Sequence, residues 1–161
     1  MPYWLKSNSA VIIGDVRLKP KVNIWPNAVL RGDLNYIQIG EQTNIQDGCV
    51  LHVTEELPVI IGKNVTIGHN AVVHGCTVED DVLIGMGAIV LDGSHIGKGS
   101  IIAAGSVVLE NQNIPEYSLI AGVPGKIIKK LSPQQAAKFA DHAESYFELA
   151  DRELEKVLID E

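Results

Sequence analysis

The chain of 161 residues carries only two cysteines, Cys49 and Cys76, so it has no disulfide framework. It also lacks a surplus of basic charge. Thirteen Lys and Arg stand against 20 Asp and Glu, a net charge of -7, which argues against a nucleic-acid or anionic-membrane surface. No apolar run approaches the roughly 18 residues that a membrane span needs. The opening Met-Pro-Tyr-Trp-Leu-Lys lacks a signal-peptide layout. One domain in a reducing cytoplasm is the expectation, with small molecules rather than nucleic acid or membrane as partners.

What the chain does have is a repeat of six. Ile39, Ile45 and Leu51 fall six apart; after a short insertion Ile61, Ile67 and Val73 resume the step. One residue is then lost, and Val78, Ile84, Val90, Ile96, Ile102 and Val108 continue without error. Upstream, Val16, Val22, Ala28 and Leu34 read as the same ladder. A second ladder of small residues lies four further on: Thr43, Cys49, Val65, Ala71, Thr77, Val82, Ala88, Ser94, Ser100 and Ser106. A helix cannot use this period, because six residues advance it by about 600° and the apolar rung wanders round the cylinder. A strand can, because positions i and i+4 share a face. Each hexad is therefore a short strand and a corner, and a fixed period of this kind means a solenoid. Three hexads make one turn of a triangular prism. The expected fold is an all-β solenoid of about five turns from Val11 to Leu109, its roughly sixteen large inward rungs each contributing about 1.5–3 kcal/mol.

Residues 111–130, with Pro115 and Pro124, read as irregular. Ser132-Pro133 then reads as an N-cap followed by proline at the first helical position. Phe139, Ala143, Phe147, Ala150, Leu154 and Leu158 recur on one helix face, predicting a long C-terminal α-helix over about 133–158, some 38 Å long. The division is thus 1–131 for the β-helix with its terminal extension and 132–161 for the helix packing on it, as a single structural domain. The stripe is expected against the prism or a neighbouring subunit, and the outer Glu144, Glu148, Asp151 and Glu155 in solvent.

Three histidines acquire positions from the repeat. His52 follows Leu51 and His74 follows Val73, so both point outward on consecutive turns, stacked about 4.8 Å apart on one wall. His69 lies two residues after Ile67, on another face or its corner. A tetrahedral ion with ligands at about 2.0–2.1 Å is in reach of His52 and His74, but His69 of the same chain is directed elsewhere. A neighbour's His69 completes the set in a cyclic trimer with head-to-tail contacts, giving three shared sites. Cys76 is a weaker candidate ligand because a strand alternates its faces. Cys49 reads as a core thiol, and His95 and His142 as surface.

The spacing His-x16-His-x4-His, the segment Asn44-Ile-Gln-Asp-Gly-Cys-Val-Leu-His52, the segment Ile67-Gly-His-Asn-Ala-Val-Val-His74-Gly-Cys76 and the element Arg31-Gly-Asp33 resemble the γ-class carbonic anhydrases, most of all the short bacterial branch without the long acidic loop. The resemblance covers nearly the whole chain. It implies a left-handed parallel β-helix and a homotrimer. It implies a lyase that hydrates carbon dioxide reversibly to bicarbonate by a metal-hydroxide mechanism at the subunit interfaces. His52, His69 and His74 would bind zinc, with iron(II) or cobalt as substitutes. Gln46 would orient the reacting water or bicarbonate, Asn44 would support Gln46, and Arg31 and Asp33 would pair across the interface. The chain departs from the family at Leu34, where a glutamate is expected, and in a shortened loop over residues 52–60, which leaves Glu55 as the candidate for proton export. Two rivals share the repeat: an acyltransferase or thioesterase acting on a coenzyme A thioester, to which Ala121-Gly-Val-Pro-Gly-Lys126 also conforms, and a metal-stabilised trimeric scaffold of little activity.

Overall fold

The computed structural model describes residues 1–159. It is a parallel β-solenoid of about six turns with a helix packed along one face. On that face the strands Tyr3–Lys6, Asn23–Ile24, Asn44–Ile45, Thr66–Ile67, Leu83–Ile84, Ile101–Ile102 and Ser118–Ala121 form an unbroken parallel ladder. The other two faces merge into one ten-stranded sheet. They merge because the long strand Val29–Ile39 turns a corner, pairing with Val50–His52 through its first residues and with Val59–Ile61 through its last.

The ladder from Ile39 onward lies inside: Ile39, Ile45, Leu51, Ile61, Ile67, Val73 and the rungs through Val108 are at most 1% exposed. Apolar burial worth about 25 cal/mol per Å² on every coil holds the prism together. Residues with φ near +60°, among them Asn27, Gln42, Asn64, Asn70 and Asp81, turn its corners; Asn and Asp tolerate that backbone better than branched residues do. The glycine after a large rung has a separate reason. A Cβ on Gly85 would lie 2.5 Å from the Ala104 amide nitrogen of the next coil.

Upstream the expected phase is wrong by two residues. Leu34 is 53% exposed and Val16 only half-buried, whereas Ile24 and Leu30 are the buried partners of Ile45 and Leu51. Val22 and Ala28 are buried, but at the small inward positions; a valine there resembles a large rung. Likewise Cys76, two residues before Val78, takes the small inward place assigned to Thr77, because the lost residue shifts the phase. The solenoid also has about six turns rather than five. Tyr3–Lys6 adds a strand at the start, and Asn113–Ile114 and Ser118–Ala121 continue the stack within the stretch read as irregular. Lys126–Lys130 then folds back antiparallel.

The helix runs Pro133–Glu153, with Ser132 as N-cap and Gln135 closing the capping box. It stops short of 158 because Glu155–Leu158 becomes a strand, pairing antiparallel with Tyr3–Lys6 and covering that edge. Leu158 consequently leaves the helical stripe and is 59% exposed. The helix meets the sheet through Ala136, Ala143 and Ala150, spaced by seven and buried; methyl side chains let it approach closely. Asp151, expected in solvent, instead accepts a hydrogen bond from the Tyr3 hydroxyl and pairs with Lys156. Residues 160 and 161 of the expected 132–161 segment lie outside the described residues.

Candidate metal centre

One wall of the prism carries a column of polar side chains. Arg31, His52 and His74 stand in register on three adjacent parallel strands. The two imidazole centroids are 4.9 Å apart, and Nδ1 of His52 lies 2.9 Å from Nε2 of His74. Each ring is held from behind. His52 Nε2 is 2.9 Å from Asp33 Oδ1, and His74 Nδ1 is hydrogen-bonded to Asp92. Burial pushes the Asp33 carboxyl up, but hydrogen bonds from Arg31 and His52 outweigh it and hold the group below the usual carboxylate value. Two nitrogens facing one another, each backed by a carboxylate, are the arrangement that orients imidazoles toward a cation.

His69 sits at a corner turn after Thr66–Ile67, away from that wall. Its Nδ1 lies 2.9 Å from Asp47 Oδ2. Among the described residues, no three His, Cys, Asp or Glu side chains of one chain converge to hold an ion. Beside His69 the Gln46 side chain is buried and held at both ends: Nε2 donates to Asn44 Oδ1, and Oε1 accepts the His69 amide N–H. Asn44 donates in turn to the Thr66 hydroxyl. Arg31 and Asp33 pair with each other within the chain. Glu55 is exposed in the loop that follows His52. Cys76 is interior, and burial pushes its thiol up to about 12. It packs in the hydrophobic core, on the inner side of the wall from which the outward His74 projects.

Four residues near the histidines escaped the sequence reading. Asp92 lies one place past the position level with His74 on the next coil, because the lost residue shortens that coil and Val73 pairs with Val90, so counting does not single it out. Asp47 directly follows Gln46. His142 and Tyr146, one helical turn apart, stack on each other and reach the corner of His69 from the helix; their positions flank the buried alanine stripe. His95, read as surface, pairs with Glu79 on the third face.

Hexads stacked on three faces define a hexapeptide-repeat protein, and this one carries an outward histidine pair on one face. The bacterial transferase hexapeptide family (six repeats) matches residues 75–110, a segment that begins just after the third histidine. A hexapeptide transferase family protein from Anaplasma phagocytophilum superposes with a TM-score of 0.83 at 36% identity, over 94% of this chain and 93% of that one. Gamma carbonic anhydrase 2 of Arabidopsis thaliana mitochondria is 45% identical over 148 residues, 88% of this chain and 53% of the plant protein, so the chain spans about half the length of that relative. A probable carbonic anhydrase of Methanocaldococcus jannaschii is 44% identical over 145 residues, covering 90% of this chain and 91% of the archaeal one. The chain belongs to the gamma-class carbonic anhydrase family.

Proposed function

We propose that this chain catalyses the reversible hydration of carbon dioxide to bicarbonate at metal centres shared between the subunits of a homotrimer. The observation that carries the proposal is the facing pair of imidazoles, His52 and His74, with a third candidate ligand, His69, on a different edge of the same chain. Two ligands at about 2.0–2.1 Å from one tetrahedral ion sit about 3.3 Å apart. The 2.9 Å between these nitrogens therefore needs only a small adjustment to accept an ion. A set of imidazoles suits zinc, and iron(II) or cobalt can take its place. Head-to-tail contacts in a cyclic trimer bring the partner's His69 to each pair.

The bound metal supplies one thing, a drop in the pKa of a coordinated water from 15.7 to about 7. The chain's own residues do the rest. Gln46, clamped by Asn44 and the His69 amide, presents a fixed side-chain amide that orients the reacting water or the bicarbonate. Asp33, Asp47 and Asp92 fix the imidazoles in place. Arg31 neutralises Asp33 and keeps the wall from accumulating negative charge. Glu55, in its exposed loop, is the residue that the sequence offers for carrying the released proton away; the groove beside His69 offers another.

The test pairs anaerobic loading of the purified protein with zinc or iron(II) and stopped-flow carbon dioxide hydration. Metal near one ion per chain with hydration that vanishes on chelation is the expected result. Protein that takes up no metal contradicts the proposal. The likeness to hexapeptide transferases favours one rival, transfer or hydrolysis of an acyl group from coenzyme A. That activity persisting after metal removal would decide for the rival. Full metal loading with a stable trimer and no hydration would leave the metal as a structural bolt.

A further inference from the structure

A groove of about 320 Å³ runs between the helix and the solenoid corner, and Gln46, Thr66, His69, Met86, His142 and Tyr146 line it. We infer that His142 is the proton-transfer group of the centre, an inference that rests on the carbon dioxide hydration proposed above. Hydration converts carbon dioxide and one water into bicarbonate and one proton, and that proton must leave before the next turnover. The groove is wide enough for several waters at about 30 Å³ each, and the polar groups on its lining, Gln46, Thr66 and His69 on the solenoid and His142 and Tyr146 on the helix, put the reacting end and an exposed imidazole on one groove.

His142 suits this role by chemistry and by place. Histidine is the side chain whose ordinary charge change falls nearest neutral pH, and His142 is exposed on the helix. Its Nδ1 lies 3.4 Å from the Thr66 hydroxyl. That hydroxyl already accepts from Asn44 but keeps a proton to donate and a second lone pair to accept with. The contact therefore survives whether the ring is neutral or protonated. The neutral ring takes the proton through the groove waters, becomes imidazolium, and returns to neutral by releasing the proton to buffer. The groups around it are Tyr146 on its own helix and His69 with Asp47 on the solenoid corner. Glu55 does not line the groove.

The experiment uses metal-loaded trimers of the wild type, His142→Ala, His142→Gln and Glu55→Gln. It measures metal content, kcat and kcat/KM for hydration at low buffer, and rescue by added imidazole. Glutamine keeps a hydrogen bond to Thr66 but cannot carry a proton, so it separates packing from transfer. Both His142 variants should keep their metal and their kcat/KM, lose kcat at least about tenfold, and regain it with imidazole. Unchanged kcat in His142→Gln overturns the inference. A joint loss of kcat and kcat/KM without rescue also overturns it, as does loss of kcat in Glu55→Gln alone. Metal-loaded wild type that hydrates no carbon dioxide overturns instead the activity on which it rests.

Discussion

The two halves of the solenoid keep the repeat with different strictness. From Val78 to Val108 the buried rungs fall every six residues and each aliphatic rung stacks on another. Between Val29 and Val78 the step is broken twice. The loop over residues 53–58 enters directly after His52, and one residue is lost directly after His74. The regular half shows what burial alone requires, a large and a small inward residue per hexad. The irregular half shows what a site requires, unlike side chains in one column: Arg31, His52 and His74 in register on three successive levels of a wall, with Asp92 of the regular half holding the last ring from behind. Breaks in the repeat sit where the chemistry sits.

Substitutions can break or sharpen that contrast. The largest effect is expected from His52→Ala, His69→Ala and His74→Ala, each of which should lower metal from near one ion per chain to background by elemental analysis and abolish hydration. His95→Ala, in the regular half, should leave both unchanged. Ile84 is buried, and Ile84→Ala should cost about 2–5 kcal/mol in urea unfolding while metal content at saturation stays normal. Loss of metal in that variant would erase the division between scaffold and site. Asp92→Asn should reverse the pattern, weakening metal affinity about 10–100-fold in chelator competition with the unfolding midpoint of the metal-free protein unmoved. Ser132→Ala removes the helix N-cap and should cost about 1 kcal/mol, read as a small drop in thermal midpoint. The smallest signal is a null one. Burial raises Cys49 to about 11 and Cys76 to about 12, far above the pH of about 8 at which free thiols alkylate readily. Neither should react with iodoacetamide until the protein unfolds.

The sequence was most legible where the repeat is most regular. Ile39 and the rungs after it could be placed by counting, and so could the stacking of His52 on His74. Upstream the count is ambiguous because valine serves at both the large and the small inward position, so Val16 and Val22 mimic a ladder that belongs to Ile24 and Leu30. The helix end failed for a different reason. Leu154 and Leu158 continue the helical period, but the open edge of Tyr3–Lys6 offers backbone hydrogen bonds, and Glu155–Leu158 takes them. That competition is tertiary and leaves no local mark. Asp92 is hidden because the residue lost after His74 shortens that coil, which puts Leu91 rather than Asp92 level with His74. His142 was not legible at all, because nothing in the repeat says where the helix crosses the prism.

The central claim is that each centre draws His52 and His74 from one chain and His69 from its neighbour, and metal counting on mixed trimers tests it most directly. Trimers of His69→Ala chains alone, or of His74→Ala chains alone, have no complete set and should carry no metal. In a cyclic trimer containing both, one junction joins an intact pair to an intact His69, so native mass spectrometry should find about one ion per mixed assembly. Mixed trimers, confirmed by mass and free of metal, would contradict the shared centre.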